Sequence, residues 1–250
     1  MSTARTAAIV GAAGGVGATR LCVEGGALLA AAGEDVLVFD VAHATQGLST
    51  YVDARLDPDA TALLTDPDID ITDAAYPLDA PGDGTLALAP AHAPLARSAD
   101  ALTPEAGERV GDRLTEATEQ YDYVLVDTPP ILTNPAVGAV TAVDVVAAVT
   151  TADDRGTDAL SRERGRFADV GVDAGVVAVN RASTRDLPDA DVAIPEAALG
   201  PESEAPAVTP ADPDDYTRAV ASLLGECFAL DELVDDAAPG FLGGLRRRLS

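Results

Sequence analysis

Residues 11–20 read GAAGGVGATR. The glycines at 11, 14, 15 and 17 follow a short apolar run, AAIV (7–10), and open a helical stretch, VGATRLCVEGGALLAAAG (16–33). Strand, glycine loop and helix in that order are the setting of a phosphate-binding loop. Glycine admits positive φ and close backbone approach, so amide N–H groups can converge on phosphate oxygens, and the helix N-terminus adds a favourable dipole. The nucleotide-binding candidates here are Gly14, Gly15, Val16, Gly17 and Thr19, with Thr19 also a candidate Mg²⁺ ligand. A working loop carries a lysine just before the threonine to neutralise phosphate charge. This chain has Ala18 there. A glycine-rich turn that binds nothing fits the same ten residues, and the loop alone leaves both readings open.

Downstream, short apolar runs alternate with helical stretches. VLVFDV (36–41), TLALAP (85–90), YVLVD (123–127), VVAAVT (145–150), GVVAVN (175–180) and VAIP (192–195) read as strands. Their nearly continuous apolar character fits strands covered on both faces. Thr103 followed by Pro104 and Glu105 marks a helix start running to about Gln120. Residues 51–84 are rich in turn signals and read as loop, and 197–211 as a polar connection. Asp212 is the expected cap of a last helix from Pro213 to about Leu233. The fold class is α/β: a doubly wound, mostly parallel sheet with helices on both faces, whose ligands bind at the carboxyl ends of the strands.

YDYVLVDTPP (121–130) strengthens the nucleotide reading. An apolar strand ending in Asp127 is a Walker B pattern, with the carboxylate placed to hold Mg²⁺ or its water. An aspartate that merely caps the following turn is the alternative.

With both motifs in hand, the chain resembles the MinD/ParA family of deviant Walker A ATPases. The family loop KGGxGKT is matched by AGGVGAT (13–19), and its DTPP by residues 127–130. Its acidic segment after the second strand is matched by FDVAHATQGLS (39–49), with Asp40 at the first acidic position. Its Asn-Arg pair corresponds to Asn180 and Arg181, and its IPE loop to Ile194, Pro195 and Glu196. The resemblance covers nearly the whole chain. It implies ATP or ADP with Mg²⁺ as cofactor, metal contacts from Thr19, Asp40 and Asp127, and base-side contacts from Asn180, Arg181 and Pro195. It also implies a homodimer, or a heterodimer with a paralogue.

Three departures bear on mechanism. The family's signature lysine falls on Ala13, its loop lysine on Ala18, and its second acidic residue, which positions the attacking water, on Ala42. No catalytic charge of the family is intact, and efficient ATP hydrolysis is not expected, since each lost charge removes several kcal/mol of transition-state stabilisation, about 3–4 for a single donor. Arg20 stands one residue past Thr19, on the helix, a poor position from which to replace lysine. Nucleotide binding through backbone amides, Thr19, Asp127 and Asn180 is expected to be weak or lost.

The net charge is −26, and all 16 basic residues are arginine. Acid spread along the whole chain resembles proteins of salt-in halophiles, where the Debye length is about 3 Å or less; an acidic protein with a basic partner is the alternative. Nucleic acid is a poor electrostatic match. No run approaches the roughly 18 apolar residues of a membrane span, and the start MSTARTAAIVG lacks a cleavable secretory layout. Cys22 and Cys227 are far apart in apolar helical stretches and read as packing residues.

The sequence divides into a main domain, residues 1–236, and a tail, residues 237–250. PGFLGGLRRRLS (239–250) holds three arginines and no acid. As a helix it gathers Phe241, Leu242, Leu245 and Leu249 on one side, flanked by Arg246, Arg247 and Arg248. It resembles the amphipathic membrane-targeting tail of MinD, which implies a cytoplasmic protein held peripherally at the inner face of the cell membrane. The expected role is spatial positioning of the division site, pili or polar machinery, by a degenerate ATPase that either binds nucleotide without turnover or serves as a nucleotide-independent scaffold. A slow active ATPase, a DNA-partitioning ParA-type protein and a non-catalytic partner of an intact paralogue remain as alternatives.

Overall fold

The computed structural model describes residues 5–185, 187, 189–231, 233 and 246–247. Eight strands form one sheet: β1 (Thr6–Gly11), β2 (Asp35–Asp40), β3 (Tyr76–Leu78), β4 (Thr85–Ala89), β5 (Tyr123–Thr128), β6 (Val145–Thr151), β7 (Val176–Asn180) and β8 (Val192–Ile194). Their order is β3-β4-β2-β5-β1-β6-β7-β8. All neighbours pair in parallel except β3, which runs antiparallel to β4 at the edge.

Successive residues of each central strand serve opposite faces. Ile9 and Leu125 enter one apolar cluster, whereas Val10 and Val126 enter the other. The first cluster lies under α1 (Ala18–Ala31) and the last long helix, Asp215–Phe228. The second lies under residues 60–65, 104–120, 134–142 and 154–169, which form helices α2, α4, α5 and α6; a short α3 spans Leu95–Asp100, and Asp215–Phe228 is α7. This two-sided cover explains why the central strands carry nearly unbroken apolar sequence. The chain leaves β1 between β5 and β6, so the glycine loop opens at the crevice where doubly wound sheets take ligands.

Several elements differ from the sequence reading. Helix α1 begins at Ala18, two residues late, because Gly17 has φ 95° and cannot be a helical residue. The loop-rich segment 51–84 contains α2 (Ala60–Thr65), a 3-10 turn at Ile71–Ala74 and the edge strand β3. These pieces are too short to show a period. They persist because Asp59 caps α2 through the amide of Ala62, and Leu63 and Leu64 are fully buried. The cap of α7 is Asp214, which accepts from Thr217 N at 2.7 Å, and not Asp212. The helix closes at Phe228, where Ala229 turns left-handed at φ 51°. Thr103 caps α4 as expected.

The tail also differs where it is described. Arg246–Arg247 is extended and pairs antiparallel with Leu230–Asp231, so the helical reading does not hold at these two residues. The proposed anchors Phe241, Leu242, Leu245, Arg248 and Leu249 lie outside the described residues. Among the described residues no helix is long and apolar enough to cross a membrane.

Candidate functional site

The loop after β1 is held open by two left-handed glycines, Gly15 at φ 77° and Gly17 at φ 95°. A Cβ on Gly17 would lie 2.4 Å from Asn180 Nδ2. Glycine is therefore required there both by conformation and by the close approach of β7. Asn180 is largely buried, and its Nδ2 donates to Val16 O at 2.8 Å. Its Oδ1 accepts from Arg181 N at 2.9 Å. Arg181 itself is left-handed at φ 56°, and its Nη2 donates to Gly15 O at 3.0 Å. The Asn-Arg pair thus braces the loop from the end of β7. The resemblance gives Asn180 to the base; here both its polar atoms engage the chain.

A cleft of about 450 Å³ opens over the loop at the carboxyl ends of the strands, bordered by Gly14, Thr19, Ala42, Asp127 and Arg181. A smaller one of about 280 Å³ adjoins it, bordered by Asn180, Pro195, Glu196, Arg20 and Tyr216. Gly17, Arg20, Tyr51, Arg181 and Glu202 border both. Phosphate-side and base-side candidates from distant parts of the sequence therefore share one continuous depression.

Asp127 and Asp40 are register partners on neighbouring strands and are both buried. Burial pushes the Asp127 carboxyl up to about 6, against a lowering contact from the Thr19 hydroxyl. Its Oδ2 is buried and makes no hydrogen bond. Asp40 is pushed well above the carboxylate range by burial and then by the charge of Asp127. Its two oxygens accept from Ala42 N at 2.7 Å and Ala91 N at 3.2 Å, so it ties down the backbone after β2 and β4. An orphaned carboxylate oxygen beside a hydroxyl, at the edge of a cleft, fits a divalent cation. Mg²⁺ is commonly held by one or two carboxylates together with phosphate and water. Thr19 and Asp127 would hold it; Asp40 stands behind them. Among the described residues there is no group of three or more His, Cys, Asp or Glu side chains fit for a metal.

Ala13, Ala18 and Ala42 all border this cleft. Ala18 and Ala42 are themselves buried, so methyl groups line this wall of the cleft.

Sequence reasoning missed two supports. Arg20 and Glu24 form a buried ion pair at 2.5 Å on α1. Burial works against the Arg20 charge, but the Glu24 carboxylate outweighs it and raises its pKa. Glu24, fully buried, also accepts from the amides of Ala207 and Val208, which pins the segment beyond β8 to α1. The i,i+4 spacing of the pair was visible in the sequence; the partner backbone was not. The second support is Glu163 on α6, whose Oε1 accepts from Ile131 N at 2.5 Å and steadies the loop after Asp127. Its i,i+3 pairing with Arg166 was visible in the sequence; its bond to the backbone of Ile131 was not.

A glycine loop, a strand-end carboxylate and a shared cleft at a parallel-sheet crevice define an α/β protein of the P-loop NTPase fold. A family model described as an AAA domain matches residues 4–163, and the chain belongs to that family. Its fold is that of MinD and ParA proteins. The septum site-determining protein MinD from Pyrococcus horikoshii, complexed with Mg-ADP, is 19% identical with a TM-score of 0.69, over 89% of this chain and 95% of that one. The ParA family ATPase from Chlorobium tepidum is 18% identical with a TM-score of 0.68, over 88% and 98%. The MinC:MinD cell division protein complex from Aquifex aeolicus matches at 24% identity and a TM-score of 0.62, over 78% and 82%. No curated protein sequence matches.

Proposed function

We propose that this chain is a MinD/ParA-like spatial positioning protein that binds Mg-ATP or Mg-ADP in the cleft over Gly14–Thr19 with little or no turnover. One observation carries the reading: the backbone cradle, Thr19 and the orphaned Asp127 oxygen are kept together, while Ala13, Ala18 and Ala42 replace charge. Binding and hydrolysis depend on different parts of such a site. The cradle and the Thr19–Asp127 pair orient phosphate and metal, whereas the missing charges are those that stabilise charge growing in the transition state. The Mg-ADP complex of the Pyrococcus MinD supports the cofactor assignment, and the MinC:MinD complex supports action with a protein partner. The basic tail, residues 237–250, serves as a peripheral anchor at the inner membrane face, and the division site, pili or polar machinery are the assemblies positioned.

Calorimetric titration with Mg-ATP and Mg-ADP in multimolar KCl tests the reading. Saturable binding with little or no turnover is expected. A folded sample that gives no heat up to millimolar ligand would make the loop a structural turn.

A further inference from the structure

Two arginines, Arg20 and Arg181, border the phosphate cleft of a chain that has no lysine. They are in opposite states. Arg20 is committed through two of its three nitrogens: its Nε lies 2.5 Å from Glu24 and its Nη1 donates to Gly200 O at 3.3 Å, while its buried Nη2 makes no hydrogen bond. Glu24 is itself locked by two amides. Turning this guanidinium toward the loop would leave a buried carboxylate unpaired, which proteins rarely tolerate. Arg181 is exposed, and among the described residues it forms no ion pair. Its Nη2 bond to Gly15 O holds the head group at the rim of the glycine loop. The backbone adopts a left-handed conformation at a non-glycine residue to put it there, stabilised by the Asn180 Oδ1 bond.

We infer that Arg181 supplies the cation for the nucleotide's phosphates, from the end of β7 instead of from within the loop. The inference rests on the nucleotide-binding reading above. A guanidinium carries five N–H donors, and the bond to Gly15 uses one. The remainder suit phosphate oxygens in a forked geometry. Positive charge at this rim also offsets the repulsion that a protein of net charge −26 exerts on a polyphosphate.

The test uses the full chain in multimolar KCl, with Mg-ADP followed by calorimetry and adenosine by ligand-observed NMR. Arg181→Gln keeps a donor for Gly15 O and removes the charge. It is expected to weaken Mg-ADP about 10-fold or more and adenosine less than about 2-fold. Arg181→Lys is expected to recover most of the loss, and Arg181→Ala to match Gln. Equal losses for adenosine and Mg-ADP would assign Arg181 to the base or to loop shape and overturn the inference. So would unchanged Mg-ADP affinity in Arg181→Gln when the parent binds. A parent that binds neither ligand overturns the nucleotide reading itself, and the arginine assignment with it.

Discussion

Replacing Asp127 by Asn should stabilise the protein while removing its response to magnesium. Asp127 is almost fully buried, its Oδ2 has no partner, and burial lifts its carboxyl to about 6. In the unfolded chain the same group ionises near ~3.9. The folded state thus holds the proton more tightly, and stability falls as pH rises from about 4 to about 6, then levels off. At pH 7 the difference amounts to about 3 kcal/mol; at pH 4.5 it has shrunk to about 1 kcal/mol. Asparagine has no charge to bury, and it relieves Asp40, which Asp127 helps push up. For a domain of this size that predicts Asp127→Asn melting about 5–10 °C above the parent at pH 7, with the gap closing to a third at pH 4.5. Thermal melts followed by circular dichroism at both pH values, in constant high KCl, measure it. Added Mg-ADP should raise the melting temperature of the parent and not of the variant. A variant that melts at or below the parent at pH 7, or a gap that does not change with pH, would refute the claim that an uncompensated buried carboxylate waits at the cleft.

Four other outcomes follow from the same geometry. Gly17→Ala places a methyl at φ 95° against Asn180 Nδ2, and should destabilise by about 2–3 kcal/mol in denaturant titration and abolish nucleotide binding. Glu24→Gln leaves the Arg20 charge buried beside a neutral amide; a loss of about 3 kcal/mol is expected, with faster proteolysis near residues 197–208, and an unchanged midpoint would contradict it. Ala13→Lys, Ala18→Lys and Ala42→Asp together should tighten Mg-ATP about 10-fold or more in calorimetry, and no change would mean that the cleft walls have drifted away from the phosphate path. Deleting residues 239–250 should release the protein from anionic liposomes in a sedimentation assay, whereas equal sedimentation would remove the anchor.

The sequence determined the parallel α/β architecture, because strands covered on both faces must be apolar throughout and crossover helices must separate them. It determined the glycine loop and the strand-end Asp127 as well, since both are local: positive φ demands glycine, and a carboxylate after an apolar run lies at a strand end. The Thr103 cap was legible for the same reason. Elements whose signal is spread over distant residues were not. Helix α2 and strand β3 are too short to carry a period and exist by burial against the sheet. Asp212 and Asp214 can both cap a helix in sequence, and in the fold it is Asp214 that accepts from Thr217 N. Only the tertiary structure decided the states of the charges at the cleft. It paired Arg20 with Glu24 and, among the described residues, left Arg181 without an ion pair. It turned both polar atoms of Asn180 onto the chain and set Asp40 beside Asp127 across two strands. The reason is physical: a side chain's charge state and partners depend on burial and on neighbours from other elements, and in this fold those neighbours arrive from up to 184 residues away.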